Sequence, residues 1–430
     1  MKSTEAKGPA PRLRFPEFHD AGPWEVKRLG DVYRFKPTNS WPRDRLNYEA
    51  GSVRNIHYGD IHKGLNSTFR LGEEAVPFLH DELAVKRAED AYCEPGDIVF
   101  ADASEDIVDV GRAIEIIDTD GEKLVAGLHT ILARQIERRL ISGFGAYLFA
   151  SSGIRTQIQE RAQGAKVLGI SKSQLAEVKL AYPKDEREQQ KIADCLSSLD
   201  ELIRAEGERL AALKDYKTAL MQRLFPAPGE TIPRLRFSEF RDAGAWKAAR
   251  LGDKGIVQFI RERVGREHIP LGHYVSTVNL LPDFGGLSAT PEPPPLASAV
   301  AYREGDILVS NIRPYLRKVW IADRIGGASN DVLVARPGDS IVRTFLGHLL
   351  MSDRFIAHVM DGAKGVKMPR GDLDHIRDFE IPCPTKLEQQ KIAGCLTSLD
   401  ELIRAQNKKI KALKAHKRGL MQQLFPQEAG

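Results

Sequence analysis

The sequence predicts a mixed α/β protein with an internal pseudo-two-fold repeat, in which two globular domains are separated by a pair of long antiparallel coiled-coil helices. The segment EQQKIADCLSSLDELIRA begins at Glu188 and returns, with few changes, from Glu388. An opening block, PRLRFPEFHDAGPW, begins at Pro11 and returns as PRLRFSEFRDAGAW from Pro233. Between these blocks lie inserts with short apolar runs such as DIVFAD and DVLVAR, which are typical of strands. The chain therefore repeats an opening block, an insert and a helix block.

The repeated blocks set the predicted domain boundaries. We expect a disordered tail at 1–10, a first α/β domain at 11–187, a first spacer helix at 188–226, a linker at 227–232, a second α/β domain at 233–387 and a second spacer helix at 388–426. Inside the two domains, apolar patterns at 140–162 and 342–363 predict one helix each, just before a GAK loop.

Each helix block carries a heptad seam, because apolar residues recur at steps of four and three. The predicted helix-pairing seam consists of Ile192, Leu196, Leu199, Ile203, Leu210, Leu213, Ile392, Leu396, Leu399, Ile403, Ile410 and Leu413. Polar residues interrupt the two seams at equivalent places, Glu206 with Gln406 and Lys217 with Lys417, as expected of positions that fix register. Each helix could instead pack separately on its own domain, but two copies of one seam favour mutual pairing. At about 1.5 Å per residue, each helix would be about 55 Å long, and the pair would act as a spacer.

Composition and missing motifs exclude several functions. No apolar run reaches the length of a membrane span and no secretory signal is present, which predicts a cytoplasmic protein. The four cysteines lack the spacing of a zinc site, so no metal ligands are predicted. The sequence contains no GxxxxGK phosphate loop, no HExxH motif and no [DNS]PP[YFW] turn for a methylated base. We therefore predict that this chain has no catalytic residues, is not an enzyme and needs no cofactor of its own.

Two heads held at a fixed separation suit duplex DNA, in which half-sites one helical turn apart are separated by about 34–36 Å. The net charge of +4 is small, so DNA contacts must come from local patches. In the second insert the candidates are Asn311, Arg313, Tyr315, Arg317 and Lys318 of SNIRPYLRK, and Lys364, Lys367 and Arg370 of GAKGVKMPRGD. In the first insert they are Lys166, Ser171 and Lys172 of GAKVLGISKSQ, and His62 and Lys63 of NIHYGDIHKG. Arginine suits guanine and asparagine suits adenine. Solvated loops without a ligand are the alternative interpretation.

The first insert differs where the second has its basic loop. It carries ADASEDIVD, with Asp102, Glu105, Asp106 and Asp109. Four carboxylates would repel phosphates, so this loop should lie away from the DNA backbone or place one carboxylate on a cytosine amino group. A metal-dependent nuclease centre is the less favoured alternative, because no lysine and further acid stand at a usable spacing.

The opening block, the EQQKIADCLSSLDELI helix ending in LMQRLFP, and the recurrence of both around divergent inserts resemble the specificity subunit of type I restriction-modification systems. This resemblance covers nearly the whole chain. It implies that the inserts are target-recognition domains for the halves of a bipartite, asymmetric site in double-stranded DNA. It also implies that the helices set the gap and dock two modification (methyltransferase) subunits, with restriction/translocase subunits joining for cleavage. S-adenosylmethionine, ATP and magnesium would belong to those partners. Two rival functions are a free-standing DNA-binding regulator and a coiled-coil scaffold that binds proteins.

Overall fold

The computed structural model describes residues 8–80, 88–288 and 294–427. The chain forms two compact units, of which unit 1 contains Met1–Glu206 with Lys409–Gly430 and unit 2 contains Gly207–Lys408. Each unit therefore combines one insert with the first half of the long helix that follows it and the last part of the other long helix. This division differs from the predicted one, in which each long helix stood apart from the α/β domains.

Residues 1–7 of the predicted disordered tail lie outside the described residues. Of the remaining predicted tail residues, Pro9 is placed against the fold, because its carbonyl accepts a hydrogen bond of 2.9 Å from the backbone N–H of Trp24.

Unit 1 contains thirteen described strands and six described short α-helices. The strands are β1 (Glu25–Arg28), β2 (Tyr33–Lys36), β3 (Leu46–Asn47), β4 (Arg54–Ile56), β5 (Thr68–Arg70), β6 (Phe78–Leu79), β7 (Ile98–Ala101), β8 (Ala103–Ser104), β9 (Ala113–Asp118), β10 (Leu124–Ala126), β11 (Thr130–Gln135), β12 (Leu168–Gly169) and β13 (Lys179–Tyr182). The helices are α1 (Leu29–Val32), α2 (Tyr58–Lys63), α3 (Ala88–Ala91), α4 (Phe144–Ala150), α5 (Ser152–Arg161) and α6 (Lys172–Ala176). The first long helix, α7 (Glu186–Leu224), follows β13.

Unit 2 repeats this plan with fewer strands in its main sheet. Its strands are β14 (Lys247–Arg250), β15 (Val257–Phe259), β16 (Arg263–Gly265), β17 (Tyr274–Val275), β18 (Ser298–Tyr302), β19 (Ile307–Ser310), β20 (Val319–Ile321), β21 (Gly326–Ala328), β22 (Val332–Pro337) and β23 (Glu380–Cys383). Its short helices are α8 (Arg343–Leu350), α9 (Asp353–Asp361) and α10 (Leu373–Arg377), and the second long helix is α11 (Lys386–Leu424).

The main sheet of each unit has a central strand that is buried on both faces. The order is β2-β11-β7-β9-β5 in unit 1 and β15-β22-β19-β20 in unit 2, and a four-stranded sheet accompanies each. In β7, Ile98 and Phe100 join the core that reaches the long helices, whereas Val99 joins the core on the opposite face. This explains the continuous apolar runs DIVFA and DILVS, since a strand covered on both faces needs no polar alternation.

The predicted helices at 140–162 and 342–363 are each two helices, which corrects the sequence-based prediction. The breaks fall at Ser151 and Ser352, which have extended backbone conformations. Each serine hydroxyl donates a hydrogen bond of 2.6 Å to the carbonyl three residues earlier. The serine side chain thereby competes with the helical ladder for a backbone acceptor.

The long helices begin and end two residues earlier than predicted. Pro226 and Pro426 lie just beyond their last turns. The residue before a proline disfavours the helical conformation, so these prolines place the ends at Leu224 and Leu424.

The antiparallel pairing of the helices is confirmed within each unit. In unit 1, Lys417 Nζ lies 2.6 Å from Asp200 Oδ2, and Lys409 pairs with Glu206. In unit 2, Lys217 pairs with Asp400. All the predicted seam residues are buried or half-buried: Ile192, Leu196, Leu199, Ile203, Leu210, Leu213, Ile392, Leu396, Leu399, Ile403, Ile410 and Leu413.

The repeated EQQ motif connects each long helix to its own α/β domain. Glu188 is 1% exposed and accepts two hydrogen bonds of 2.7 Å from the Arg14 guanidinium and one of 3.1 Å from Trp24 Nε1. Gln189 accepts from the backbone N–H of Ile141 at 2.9 Å and donates to the carbonyl of Pro183. The equivalent Arg236–Glu388 and Gln389 contacts occur in unit 2. The motif therefore joins the opening block, the insert and the helix.

A second contact between the long helix and its own α/β domain differs between the two units. In unit 1 the Tyr147 hydroxyl donates to Asp200 at 2.9 Å. In unit 2, His348 lies near Asp400, with Nδ1 3.7 Å from Oδ2, and its Nε2 lies 3.2 Å from the Thr397 hydroxyl. The pKa of His348 is lowered to about 4, first because burial penalises the charged ring and second because the Lys217 ammonium repels it.

We expect unit 2 to lose stability in mild acid because of His348. In the unfolded state His348 has a pKa near 6.5 and is protonated below that pH, whereas in the folded state it is protonated only below about pH 4. The contribution is complete above about pH 6.5 and is lost as the pH falls, by about 3 kcal/mol in total. The variant His348→Gln should show a shallower loss in urea unfolding measured between about pH 7.5 and 4. The exposed His268→Gln is the control, and parallel curves for wild type and His348→Gln would contradict the assignment.

Candidate nucleic-acid interface

In unit 2, the two basic loops predicted from the sequence lie against each other. The loop 311–318 connects β19 to β20, and the loop 364–371 follows α9. The backbone N–H of Arg313 donates to the carbonyl of Pro369 at 2.8 Å. The backbone N–H of Gly371 donates to the backbone carbonyl of Asn311 at 3.1 Å. Together the loops form one surface, here called the unit 2 ridge (residues 311–318 and 364–371).

The tip of the unit 2 ridge, formed by residues 313–315 and 366–368, carries exposed basic and apolar side chains. Arg313, Val366, Lys367 and Met368 are exposed, and Tyr315 is 49% exposed. Arg313 also has a left-handed backbone conformation, with φ of 50°, which is uncommon for a side chain other than glycine. Within the described part of the chain, neither Arg313 nor Lys367 forms an ion pair. These cations are therefore available to an external anion.

Other predicted residues of the ridge have contacts within the fold. Arg317 pairs with Asp353 at 2.8 Å, and its guanidinium carbon lies 4.7 Å from the centre of the Phe284 ring. Lys318 Nζ donates to the carbonyl of Thr277 at 2.7 Å, and Asn311 is buried. The side chains of Arg317 and Lys318 are thus held by contacts within the fold, whereas Asn311 contributes backbone hydrogen bonds with Asp331 and Gly371.

Lys364 and Arg370 form surface ion pairs on the ridge. Lys364 Nζ lies 2.6 Å from Asp372, whose pKa is lowered to about 2, chiefly by that lysine. Arg370 lies 3.1 Å from Asp331. Exposed pairs of this kind contribute little to stability, so either cation could exchange its partner for a phosphate.

In unit 1, the corresponding two loops also pair. Strands β8 and β12 are antiparallel, and the N–H of Ile170 donates to the carbonyl of Asp102 at 2.9 Å. Lys166 and Lys172 are exposed, and Lys172 Nζ reaches the carbonyl of Lys36 at 3.5 Å. Ser171 is the N-cap of α6, where its oxygen accepts from the N–H of Gln174. The structure thus gives Ser171 a capping role, while both lysines are exposed and Lys172 has a long contact to a backbone carbonyl.

The His62 segment joins the same surface of unit 1. His62 lies on α2, and its Nε2 is 2.9 Å from the carbonyl of Ala103 in the acidic loop. Lys63 follows it and is exposed. The ring of Tyr58 lies edge-on to His62, with 5.8 Å between ring centres, and to His129, with 5.3 Å.

In the acidic loop of unit 1, the carboxylates of Asp102, Asp106 and Asp109 have partners within the unit. Asp106 accepts from the N–H of Val108 at 2.9 Å, and Asp109 lies 4.0 Å from Arg112. Asp102 is the member of the loop that is directed at the rings, with Oδ1 3.2 Å from Nδ1 of His129. No group of three or more metal-ligating side chains is found in the described ranges.

His129 is a residue that the sequence reasoning missed. It precedes β11, as Asp331 precedes β22, and the carbonyls of His129 and Asp331 accept from the N–H groups of Asp102 and Asn311 respectively. Aligning HTILAR with DVLVAR could have found this pair. Asp102 thus occupies the place of Asn311, and His129 that of Asp331, on the same backbone framework.

Comparison with known proteins explains the duplicated architecture. The family model of the type I restriction modification DNA specificity domain matches residues 22–215 and again residues 253–415. The chain belongs to this family. As a specificity subunit, it is a DNA-recognition component of type I restriction-modification systems, which also act through methyltransferase and restriction subunits. Its two matched ranges correspond to two target-recognition domains.

Named relatives support the assignment along most of the specificity subunit. It is 24% identical over 421 residues to a protein of Methanocaldococcus jannaschii described as the type I restriction enzyme MjaX specificity subunit, covering 94% of this chain and 92% of that one. It is also 24% identical over 307 residues to the MjaVIII specificity subunit of that organism, covering 65% and 69%.

Solved structures show the same fold. The S subunit of a type I restriction-modification system from M. genitalium matches with a TM-score of 0.56 at 14% identity, over 97% of this chain and 99% of that chain. A chain from a study of complex assembly and conformational transition in the type I R-M system matches with a TM-score of 0.58 at 17% identity, with equal coverage. In the described part of the specificity subunit, no helix is long and apolar enough to cross a bilayer.

Proposed function

We propose that unit 1 and unit 2 each bind one half of a bipartite, asymmetric site in double-stranded DNA. The observation that carries this proposal is the unit 2 ridge, where exposed Arg313, Tyr315 and Lys367 come together from two loops. Unit 1 presents a different set of side chains on the same backbone framework. Two unlike surfaces on one framework support an asymmetric site, since each half would meet a different arrangement of donors and acceptors.

Within the ridge, the side chains have different expected roles. Arg313 suits the O6 and N7 acceptors of guanine in the major groove, because its guanidinium offers paired donors. Lys367 suits a phosphate, which positions the protein without specifying sequence. Tyr315 offers a flat ring and a hydroxyl, while Arg317 and Lys318 hold the loop from below through Asp353 and Thr277.

We also propose that the chain is not catalytic and that its helices set the gap between the half-sites and dock two modification subunits. Two docking surfaces are supported by the exposure of Leu202 on α7 and of Leu402 at the equivalent position of α11. S-adenosylmethionine, ATP and magnesium would then be bound by the partner subunits.

Salt-dependent binding of a duplex tests the role of the ridge. Replacing Lys367 with alanine should weaken binding to all duplexes and reduce the slope of log K against log salt by about 0.9, the value for one phosphate contact. Replacing Arg313 with glycine keeps the left-handed backbone and should reduce discrimination at one base pair, by about tenfold. Arg241→Ala, an exposed change in the repeated opening block, is the control. Unchanged binding in the two ridge variants would contradict the proposal.

A further inference from the structure

Unit 1 contains a strained, exposed histidine at the edge of its paired loops. His129 has a left-handed backbone conformation, with φ of 53°, and its side chain is 51% exposed. Backbone strain of this kind costs about 1–3 kcal/mol and persists only where surrounding structure enforces it. The structure around His129 therefore enforces this backbone conformation, as is common at functional sites.

Hydrogen bonds fix the backbone of His129 from both sides. Its carbonyl accepts from the N–H of Asp102 at 3.0 Å. The next residue, Thr130, donates its hydroxyl to the carbonyl of Gly127 at 2.6 Å, and the N–H of Gly127 donates to Ile56. The neighbouring segments thus fix the backbone position from which the imidazole extends.

The imidazole itself is oriented by two side chains. Asp102 Oδ1 lies 3.2 Å from Nδ1, and the ring of Tyr58 lies edge-on to the imidazole, with 5.3 Å between ring centres. A carboxylate can only accept a hydrogen bond, so Nδ1 carries the proton. In the neutral ring, Nε2 is then an acceptor.

We infer that His129 is a specificity-determining residue of unit 1, whose Nε2 accepts a hydrogen bond from the exocyclic amino group of adenine or cytosine in the major groove. This inference rests on the proposed function of unit 1 as a DNA reader. Adenine and cytosine present an amino donor in that groove, whereas guanine and thymine present oxygen acceptors at the corresponding position. Asp102 is a positioning residue, because it acts by selecting the tautomer of His129.

This arrangement explains why an acidic loop can border a DNA-binding surface. The Asp102 carboxylate faces the His129 imidazole, whose Nδ1 lies 3.2 Å from Oδ1. Positive charge is supplied beside the loop by exposed Lys63, which follows His62 on α2, and by exposed Lys166 on the paired loop. The reading chemistry of unit 1 therefore differs from the arginine-based chemistry proposed for unit 2.

The test compares the base preferences of variants in the complex of the full chain with its methyltransferase. Duplex pools randomised across both half-sites are bound at about pH 8, where imidazole is ordinarily neutral, and the bound fraction is sequenced. The wild-type complex should prefer adenine or cytosine at one position of one half-site. His129→Gly keeps the left-handed backbone, so it should retain thermal stability while losing that preference by about tenfold.

A second variant separates orientation from folding. Asp102→Asn can donate as well as accept, so it admits both tautomers of His129 and should weaken the same base preference while leaving other positions unchanged. His19→Ala, an exposed histidine in the opening block of unit 1, is the control.

Unchanged preferences in His129→Gly would overturn the inference. Loss of preference across the whole half-site, together with lower thermal stability, would also overturn it, because His129 would then be structural. The absence of any split preference in the wild-type complex would instead refute the proposed function itself.

Discussion

Replacing Arg14 with alanine is expected to lower the free energy of unfolding of unit 1 by about 3–5 kcal/mol. The Glu188 carboxylate is almost fully buried, and the Arg14 guanidinium contacts both of its oxygens at 2.7 Å. Removal of the guanidinium leaves a buried charge with the indole N–H of Trp24 as its remaining side-chain donor. The penalty arises from this uncompensated charge, since an intact buried pair need not be strongly stabilising.

Urea unfolding followed by circular dichroism measures this effect. The matched control is Arg12→Ala, because Arg12 is an exposed arginine two residues away. The double variant Arg14→Met with Glu188→Gln should recover much of the loss, because it removes the buried charge together with its partner. Equal stabilities for Arg14→Ala and Arg12→Ala would show that the pair does not hold the opening block to the helix.

Exchange of residues 32–187 for the first insert of another specificity subunit is expected to change one half of the recognised site and leave the other half unchanged. The opening block and Glu188 would be retained, so the contact of Arg14 with Glu188 that joins this block to α7 remains available. All the candidate reading residues of unit 1, from His62 to Lys172, would be replaced together. The unit 2 ridge, to which we assign the reading of the other half-site, is not altered by the exchange.

Binding selection with the exchanged chain measures this outcome. The reciprocal exchange of residues 254–387 is the matched control and should change the other half of the site. A change in both halves after a single exchange would show that the inserts do not act as separate readers.

The repeat could be predicted because its blocks recur in the sequence, and the helix pairing because a heptad seam is visible within each helix. Ile192 and Ile392 begin seams that any straight helix would place on one face. The lysines at 217 and 417 were recognised as interruptions of the seams, but their aspartate partners on the other helix were not. Such partners depend on the register between two helices, which the spacing in one helix does not specify.

The candidate site could be predicted only in part, for a related reason. The two ridge loops were each found by their basic residues, but their contact arises from a β-bridge between Ile312 and Arg370, far apart in sequence. His129 stood alone in the sequence, and the orientation of its ring depends on Asp102 and Tyr58, which come from other segments. Arg317 and Lys318 looked as available as Arg313, because their ring, carboxylate and carbonyl partners are brought close only by folding.

One chain with two unlike DNA readers should direct methylation to a split, asymmetric site. The most direct measurement is to express the chain with its methyltransferase in cells that lack other modification and to map the methylated adenines by sequencing. We expect a single motif with two unlike specified halves and an unspecified gap of constant length. A continuous motif, a palindromic motif or methylation without sequence preference would contradict the account.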